Sequence, residues 1–133
     1  MKVELMLYVR ESACPIEEVC KNIQDAAARN KFGVLAVIDL KGKMAAKGVQ
    51  FTPQCRIIEI CNPMQAKKVL EANMSISSAL PCRISVYEEA GKVKVVTLKP
   101  TAVIGLFGNP ELDAAAKQVE DTIVNIINSA CEK

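Results

Sequence analysis

The sequence predicts a single α+β domain whose elements follow in the order β-α-β-β-α-β-β-α. Three observations predict this class. Alternating apolar and polar residues mark short strands, apolar residues at helical spacing mark three helices, and Glu88-Glu-Ala-Gly91 marks a tight turn between two strands. No linker, low-complexity tract or charge block divides residues 1–133. The turn and the amphipathic helices together predict a mostly antiparallel sheet with helices packed on one face.

The first strand is predicted by apolar residues at every second position after Lys2, namely Val3, Leu5, Leu7 and Val9. The first helix follows, because Ser12 or Cys14 can cap it and Pro15 suits its first turn. Its apolar residues recur at helical spacing, at Ile16, Val19, Cys20, Ile23 and Ala27. Gly33 is expected to end the helix, since glycine adopts a left-handed conformation at little cost.

The middle of the chain contains two predicted strands around a short polar segment. Val34 to Leu40 is apolar up to Asp39, which predicts a central strand buried on both faces. Lys41 to Gly48 predicts one or two helical turns, and Arg56 to Cys61 predicts the next strand. Asn62-Pro63 combines a capping residue with a proline, so we expect the second helix to begin there.

The last part of the chain predicts a hairpin and the longest helix. Cys82 to Tyr87 alternates as a strand, and Lys92 to Leu98 pairs back with it. Thr101 to Gly108 is an apolar connector that could include a short strand. Asn109-Pro110 repeats the capping pattern, and an apolar stripe follows at Leu112, Ala116, Val119, Ile123, Ile126, Ile127 and Ala130.

Charge and hydropathy argue against nucleic acids and membranes as partners. The chain carries 17 basic and 15 acidic residues and a net charge of +2, without a basic stripe interleaved with aromatic residues. No segment approaches the ~18 consecutive apolar residues of a membrane span. The N-terminus alternates rather than forming the apolar core of a signal peptide. We therefore expect a cytoplasmic protein with reduced thiols.

The types of residue in the chain limit the reactions and metal sites that it could support. The chain has no histidine, which excludes Ser-His and Cys-His dyads and mixed Cys/His zinc sites. Its six cysteines contain no Cys-x-x-Cys pair. Cys14 is either reactive at a helix start or a tolerated small residue, and we expect Cys131 to be incidental.

The most plausible site is the sheet edge where Cys61 and Cys82 would meet. The end of one strand and the start of the next lie at the same edge of an antiparallel meander. The helix that begins after Asn62, together with Arg83, would favour thiolates and lower their pKa values. Such a pair could bind a soft metal such as Cu(I), carry sulfane sulfur or cycle as a dithiol. The alternative is that both cysteines only fill the core.

Two further features of the sequence can each be interpreted in more than one way. Glu59 alternates with Ile58 and Ile60, so it is either an inward proton carrier or a strand residue that faces solvent or pairs with Arg56. The apolar stretch 102–107, together with the first strand, is interpreted as core or as a dimer face.

Several short motifs resemble one family. They are Phe32-Gly-Val-Leu35, Lys47-Gly48, Glu59-Ile-Cys-Asn-Pro63, Leu80-Pro-Cys-Arg-Ile84 with Val86-Tyr87, and Lys99-Pro100. Together they resemble the bacterial and archaeal domain-of-unknown-function family 302 over nearly the whole chain. The resemblance implies a TBP-like α+β fold with a curved antiparallel sheet, helices on one face, and a homodimer. It implies no established activity.

Three functions remain open from the sequence. The first is a small, non-enzymatic, homodimeric binding protein that holds a ligand or a thiophilic metal at an edge site, with Cys61 and Cys82 as metal ligands. That site comprises Glu59, Cys61, Asn62, Cys82 and Arg83. The second is a thiol enzyme for redox or sulfur transfer, which the missing histidine and Cys-x-x-Cys count against. The third is a structural or interaction subunit without a small-molecule site.

Overall fold

Five antiparallel strands form the centre of the structure, a computed structural model that describes residues 3–132. The strands are β1 (Leu7–Ser12), β2 (Gly33–Asp39), β3 (Cys55–Cys61), β4 (Cys82–Glu89) and β5 (Lys92–Leu98). They lie side by side in the order β1-β5-β4-β3-β2, so β1 and β2 are the edges of an open sheet. Every neighbouring pair is antiparallel, as the sequence predicts.

Helices connect the strands. They are α1 (Ile16–Arg29), α2 (Leu40–Ala46), α3 (Pro63–Ala72), α4 (Pro100–Gly105) and α5 (Asp113–Cys131), with short 3-10 helices at Val3–Met6, Met74–Ala79 and Pro110–Leu112. The predicted order β-α-β-β-α-β-β-α is confirmed, and α2 and α4 are short additions to it. Within residues 3–132, no helix has both the length and the apolarity needed to cross a bilayer.

The main core lies between one face of the sheet and the helices α1 and α5. Its largest fully buried side chains come from both layers, at Val19, Ile23, Ile58, Ile60, Ile84, Val86, Val95, Ile123, Ile126 and Ile127. Removing each such side chain from water contributes about 1.5–3 kcal/mol, so this layer supplies most of the apolar stabilisation. The helical spacing of the α1 and α5 stripes predicts their inward faces correctly.

A smaller core holds the connecting segments together at one end of the sheet. It consists of Val69, Ile76, Ile104, Leu112 and Ala116, with Leu80 and Phe107 packed against them. These residues join α3, the 3-10 helix at Met74–Ala79 and α4 to the beginning of α5. The small core therefore fixes the position of α4 beside the sheet.

The second face of the sheet, which we call the open face, keeps apolar residues exposed. Tyr8 packs against the main core, so the side chain of its neighbour Val9 lies on the opposite face. On this face, Val9 and Leu98 are 46% and 52% exposed. The open face is therefore available for a ligand or a partner, in contrast to the face under α1 and α5.

The structure corrects two strand predictions. The first strand begins at Leu7, because Val3–Met6 forms a 3-10 helix, and Lys2 lies outside the described residues. The strand predicted at Val34–Leu40 was expected to be central and buried on both faces, which is wrong. It is the edge strand β2, which pairs only with β3 and alternates between exposed and half-buried residues. Its continuous apolarity reflects apolar residues that stay exposed at the sheet edge, Leu35 and Val37.

Two connections also differ from the prediction. The left-handed residue after α1 is Lys31, with a φ of 63°, whereas Gly33 is already the first residue of β2. The connector at 101–108 contains no strand, because Pro100 begins the helix α4. The turn between β4 and β5 is as predicted, and Gly91 adopts a φ of 75°.

Candidate functional site

Cys61 and Cys82 meet at one end of the sheet. Cys82 lies opposite Ile60 in the pairing of β3 with β4, and Cys61 is the next residue along β3. Both cysteines line the same internal cavity of about 30 Å³. The other residues around this cavity are Phe32, Ile60, Asn62, Gln65, Ala66, Val69, Leu80, Pro81, Ile104 and Val119. A space of this size holds about one water molecule, and its lining is mainly apolar.

The expectation that these thiols have lowered pKa values is wrong. Burial raises the pKa of Cys61, and burial together with the neighbouring Cys61 raises the pKa of Cys82 to about 11. Nucleophilic attack and metal binding both need the thiolate, so protonated thiols at neutral pH count against both. A soft metal at Cys61 and Cys82 stays a prediction, and within residues 3–132 no group of three or more Cys, Asp or Glu residues could hold a metal ion.

Asn62 explains why the start of α3 does not activate the thiols. Its side-chain oxygen accepts hydrogen bonds from the backbone N–H groups of Met64 at 3.1 Å and Gln65 at 3.2 Å. Asn62 therefore caps α3, as the sequence predicts, and occupies the N–H groups that would otherwise stabilise an anion. The role of Asn62 is therefore structural.

Gln65 is a cavity residue that the sequence analysis missed. Its Nε2 donates to the Oε1 of Gln118 at 3.1 Å, which ties α3 to α5. Its own Oε1 is buried without a hydrogen-bond partner. Only the three-dimensional packing of α3 over the sheet reveals this residue, because nothing in its local sequence distinguishes it.

Glu59 and Arg83 lie on the open face, away from the cavity of the two cysteines. They are directly opposite each other on β3 and β4, and the Nε of Arg83 donates to the Oε2 of Glu59 at 3.0 Å. The suggested partner Arg56 instead binds Glu17 at 2.7 Å. The alternation of the strands turns Arg83 and the neighbouring Cys82 to opposite faces. The predicted edge site is therefore divided between the two faces of the sheet.

A larger groove lies on the open face, at the same end of the sheet. It has a volume of about 460 Å³. Its walls come from four strands, from the segment before β4 and from α4, and consist of Leu7, Ile57, Ser78, Ala79, Leu80, Pro81, Cys82, Arg83, Ser85, Val96, Thr97, Leu98, Pro100, Val103 and Ile104. Of the predicted site residues, only Cys82 and Arg83 line it. We call this space the groove.

The groove could not be located from the sequence alone. Its outer wall is the helix α4, in the stretch that the sequence presents as an apolar connector. The local indication of this helix is Pro100 after Lys99, because proline is favoured in the first turn of a helix. The structure adds that Glu120 accepts hydrogen bonds from the backbone N–H of Thr101 at 3.1 Å and from its hydroxyl at 2.6 Å, which holds α4 against α5.

The remaining cysteines lie outside both spaces. Cys20 is buried in α1 and is 3% exposed, and Cys55 begins β3. Cys14 and Cys131 are half-buried and pack against the main core. Burial raises the pKa of Cys131, which the nearby Arg10 partly offsets. None of these four cysteines lines the cavity or the groove.

The raised pKa of Cys82 predicts a loss of stability at high pH. The folded chain keeps the Cys82 proton up to about pH 11, whereas an unfolded thiol releases it near about pH 8.5. The stabilisation is complete below the unfolded pKa and disappears as pH rises toward the folded one. Between those values, we expect the free energy of unfolding to fall by about 3 kcal/mol more in the wild type than in Cys82→Ser, measured by urea unfolding. An identical pH dependence in both proteins would contradict the burial of this thiol.

Comparisons with known proteins agree on one family. The family model described as "Domain of unknown function DUF302" matches residues 8–130. The solved structure titled "Crystal structure of uncharacterized conserved protein DUF302 from Bacillus stearothermophilus" is similar with a TM-score of 0.90 and 28% sequence identity, over 96% of this chain and 98% of that one. No curated protein sequence matches this chain. Because the family model spans nearly all of the described strands and helices, the chain belongs to the DUF302 family.

Proposed function

We propose that this chain is a small, non-enzymatic binding protein that holds a mostly apolar small molecule in the groove. The observation that carries the proposal is the groove itself. Its volume of about 460 Å³ lies within the ~300–1,000 Å³ typical of small-molecule sites. Its walls combine apolar side chains with a few polar ones, chiefly Ser85 and Arg83, and this is the usual composition of a ligand pocket.

The groove supports binding better than the cavity around the cysteines does. That cavity, of about 30 Å³, would have to expand before any organic ligand could enter. The alternative of a thiol redox or sulfur-transfer protein is weakened by the raised pKa values of Cys61 and Cys82. Cys82 lines both the cavity and the groove, so the two spaces adjoin at this residue.

Titration with decanol tests the proposed function. An apolar molecule of this size gains roughly 0.3 kcal/mol per heavy atom or more in a suitable pocket, which gives a dissociation constant of about 4 mM or lower. We expect saturable binding with one site per chain by calorimetry. Tetraethylene glycol, a polar chain of similar length, serves as the matched control and should not bind. Absence of saturable decanol binding would contradict the proposal.

A second proposal concerns assembly: the chain forms a homodimer through the open face. Two exposed apolar residues of this face support it, namely Val9 and Leu98. A second copy could cover them symmetrically, as in most homodimers. The groove shares Leu98 with this surface, so a partner would also shield a bound ligand. Such a dimer would correspond to the third function left open by the sequence, a structural or interaction subunit.

Sedimentation at tens of micromolar tests the dimer. We expect the wild type to sediment as a dimer and Val9→Lys as a monomer, because the substitution places a charge within the contact. Met64→Lys is the matched control, since Met64 is 76% exposed but lies on α3. It should remain dimeric. A monomeric wild type, or a Val9→Lys protein that stays dimeric, would contradict this proposal.

A further inference from the structure

The charge inside the groove narrows the chemistry of its ligand, and this step rests on the proposed function. Among the described residues that line the groove, Arg83 is the only charged one. A guanidinium carries a positive charge and only donates hydrogen bonds. Apolar walls surround this single charge, at Leu7, Val96, Leu98 and Val103. A ligand that fits both features needs an apolar body and one anionic end.

The pair of Arg83 with Glu59 leaves room for a second carboxylate. The bond to Glu59 uses the Nε of Arg83, and a guanidinium has four further N–H donors. The Arg83 side chain is 58% exposed, whereas that of Glu59 is 18% exposed. Because the guanidinium is the exposed member of the pair, a ligand carboxylate can bind its remaining N–H groups while Glu59 keeps its hydrogen bond.

Ser85 provides the second polar contact. Arg83 and Ser85 are two residues apart on β4, so both side chains lie on the open face. Ser85 is directly opposite Ile57 on β3 and Val96 on β5, which places it on the floor of the groove. A carboxylate bound to the guanidinium therefore has a hydroxyl donor beside it and apolar side chains beyond.

We propose that the ligand of this groove is an amphipathic monocarboxylate, with its carboxylate on Arg83 and its apolar chain against Val96, Leu98 and Val103. The charge-assisted hydrogen bonds of Arg83 fix the orientation of the ligand, and the apolar wall supplies most of the affinity. Glu59 then competes with the ligand for the guanidinium, because its carboxylate already accepts a hydrogen bond from the Nε of Arg83.

Comparing decanoate with decanol and decylamine tests this assignment. We expect decanoate to bind about tenfold more tightly than decanol, and decylamine to bind most weakly. Arg83→Gln should remove the preference for decanoate while leaving decanol affinity nearly unchanged. Glu59→Gln should strengthen decanoate binding severalfold by releasing the guanidinium. Arg29→Gln is the matched control, because Arg29 is exposed on α1 outside the groove, and it should bind like the wild type.

The outcomes separate this inference from the proposed function. Equal affinity for decanoate and decanol, or tighter binding of decylamine, would overturn the carboxylate assignment but retain an apolar binding groove. An equal loss of both ligands in Arg83→Gln would likewise overturn the role of Arg83 as the recognition group. If none of the three ligands binds, the proposed function fails, and the inference fails with it.

Discussion

Replacing Ile58 with Ala should cost about 3–4 kcal/mol of the free energy of unfolding. Ile58 is fully buried in the middle of β3, where it lies opposite Val37 on β2 and Ile84 on β4. Truncating a buried isoleucine removes its transfer free energy and also leaves a cavity, since neighbouring side chains relax only partly. For a domain of this size that loss is a large fraction of the total stability. Urea unfolding measures it directly.

Ile57→Ala is the matched control for this prediction. Ile57 is the adjacent residue on the same strand, but its side chain lies on the open face and lines the groove. It is only half-buried, so the same change should cost about 1 kcal/mol. Equal costs at the two positions, or a larger cost at Ile57, would contradict the assignment of the helix-covered face. The comparison is independent of any ligand.

Filling the groove with Ser85→Trp should weaken decanol and decanoate binding at least tenfold. Ser85 occupies the floor of the groove, and an indole there takes up space that the apolar chain of a ligand needs. Its half-buried position on the open face, away from the main core, predicts little change in the free energy of unfolding. The chain contains no other tryptophan, so the new fluorescence also reports whether the indole lies in an apolar environment. Calorimetry compares the affinities.

Ser77→Trp controls for the tryptophan itself. Ser77 is exposed on the 3-10 helix beside the groove and does not line it. This variant should therefore bind both ligands as the wild type does. If Ser85→Trp binds normally while folded, the ligand lies elsewhere. If Ser77→Trp loses binding to the same extent, the effect of Ser85→Trp is not specific to the groove.

The secondary structure could be predicted because local patterns determine it. Period-two alternation predicts β4 and β5, and helical stripes identify the inward faces of α1 and α5. The edge position of β2 could not be predicted. An apolar strand has the same sequence pattern whether its side chains are buried under a second layer or remain exposed. Leu35 and Val37 are apolar but exposed, and only the strand order reveals this.

The candidate site was predicted only in part, for a related reason. The hairpin topology correctly brings Cys61 and Cys82 to one end of the sheet. The pKa values of the two thiols depend on burial, which a sequence does not show, and so the expectation of thiolates was wrong. Arg83 adjoins Cys82 in sequence, yet the alternation of β4 turns the two side chains to opposite faces. Predicting the groove would have required the position of α4, which is fixed by packing against Ile76, Leu112 and Ala116.

The most direct test of the central claim is the site at which a ligand binds to the wild-type protein. Amide chemical shifts recorded by NMR during a decanoate titration locate it residue by residue. The account predicts that the largest changes occur along the groove, at Arg83, Ser85, Val96, Leu98 and Val103. Changes centred on Cys61 and Gln65 would place the ligand in the cavity instead. Shifts spread evenly over the surface, or none at all, would contradict the assignment of a binding groove.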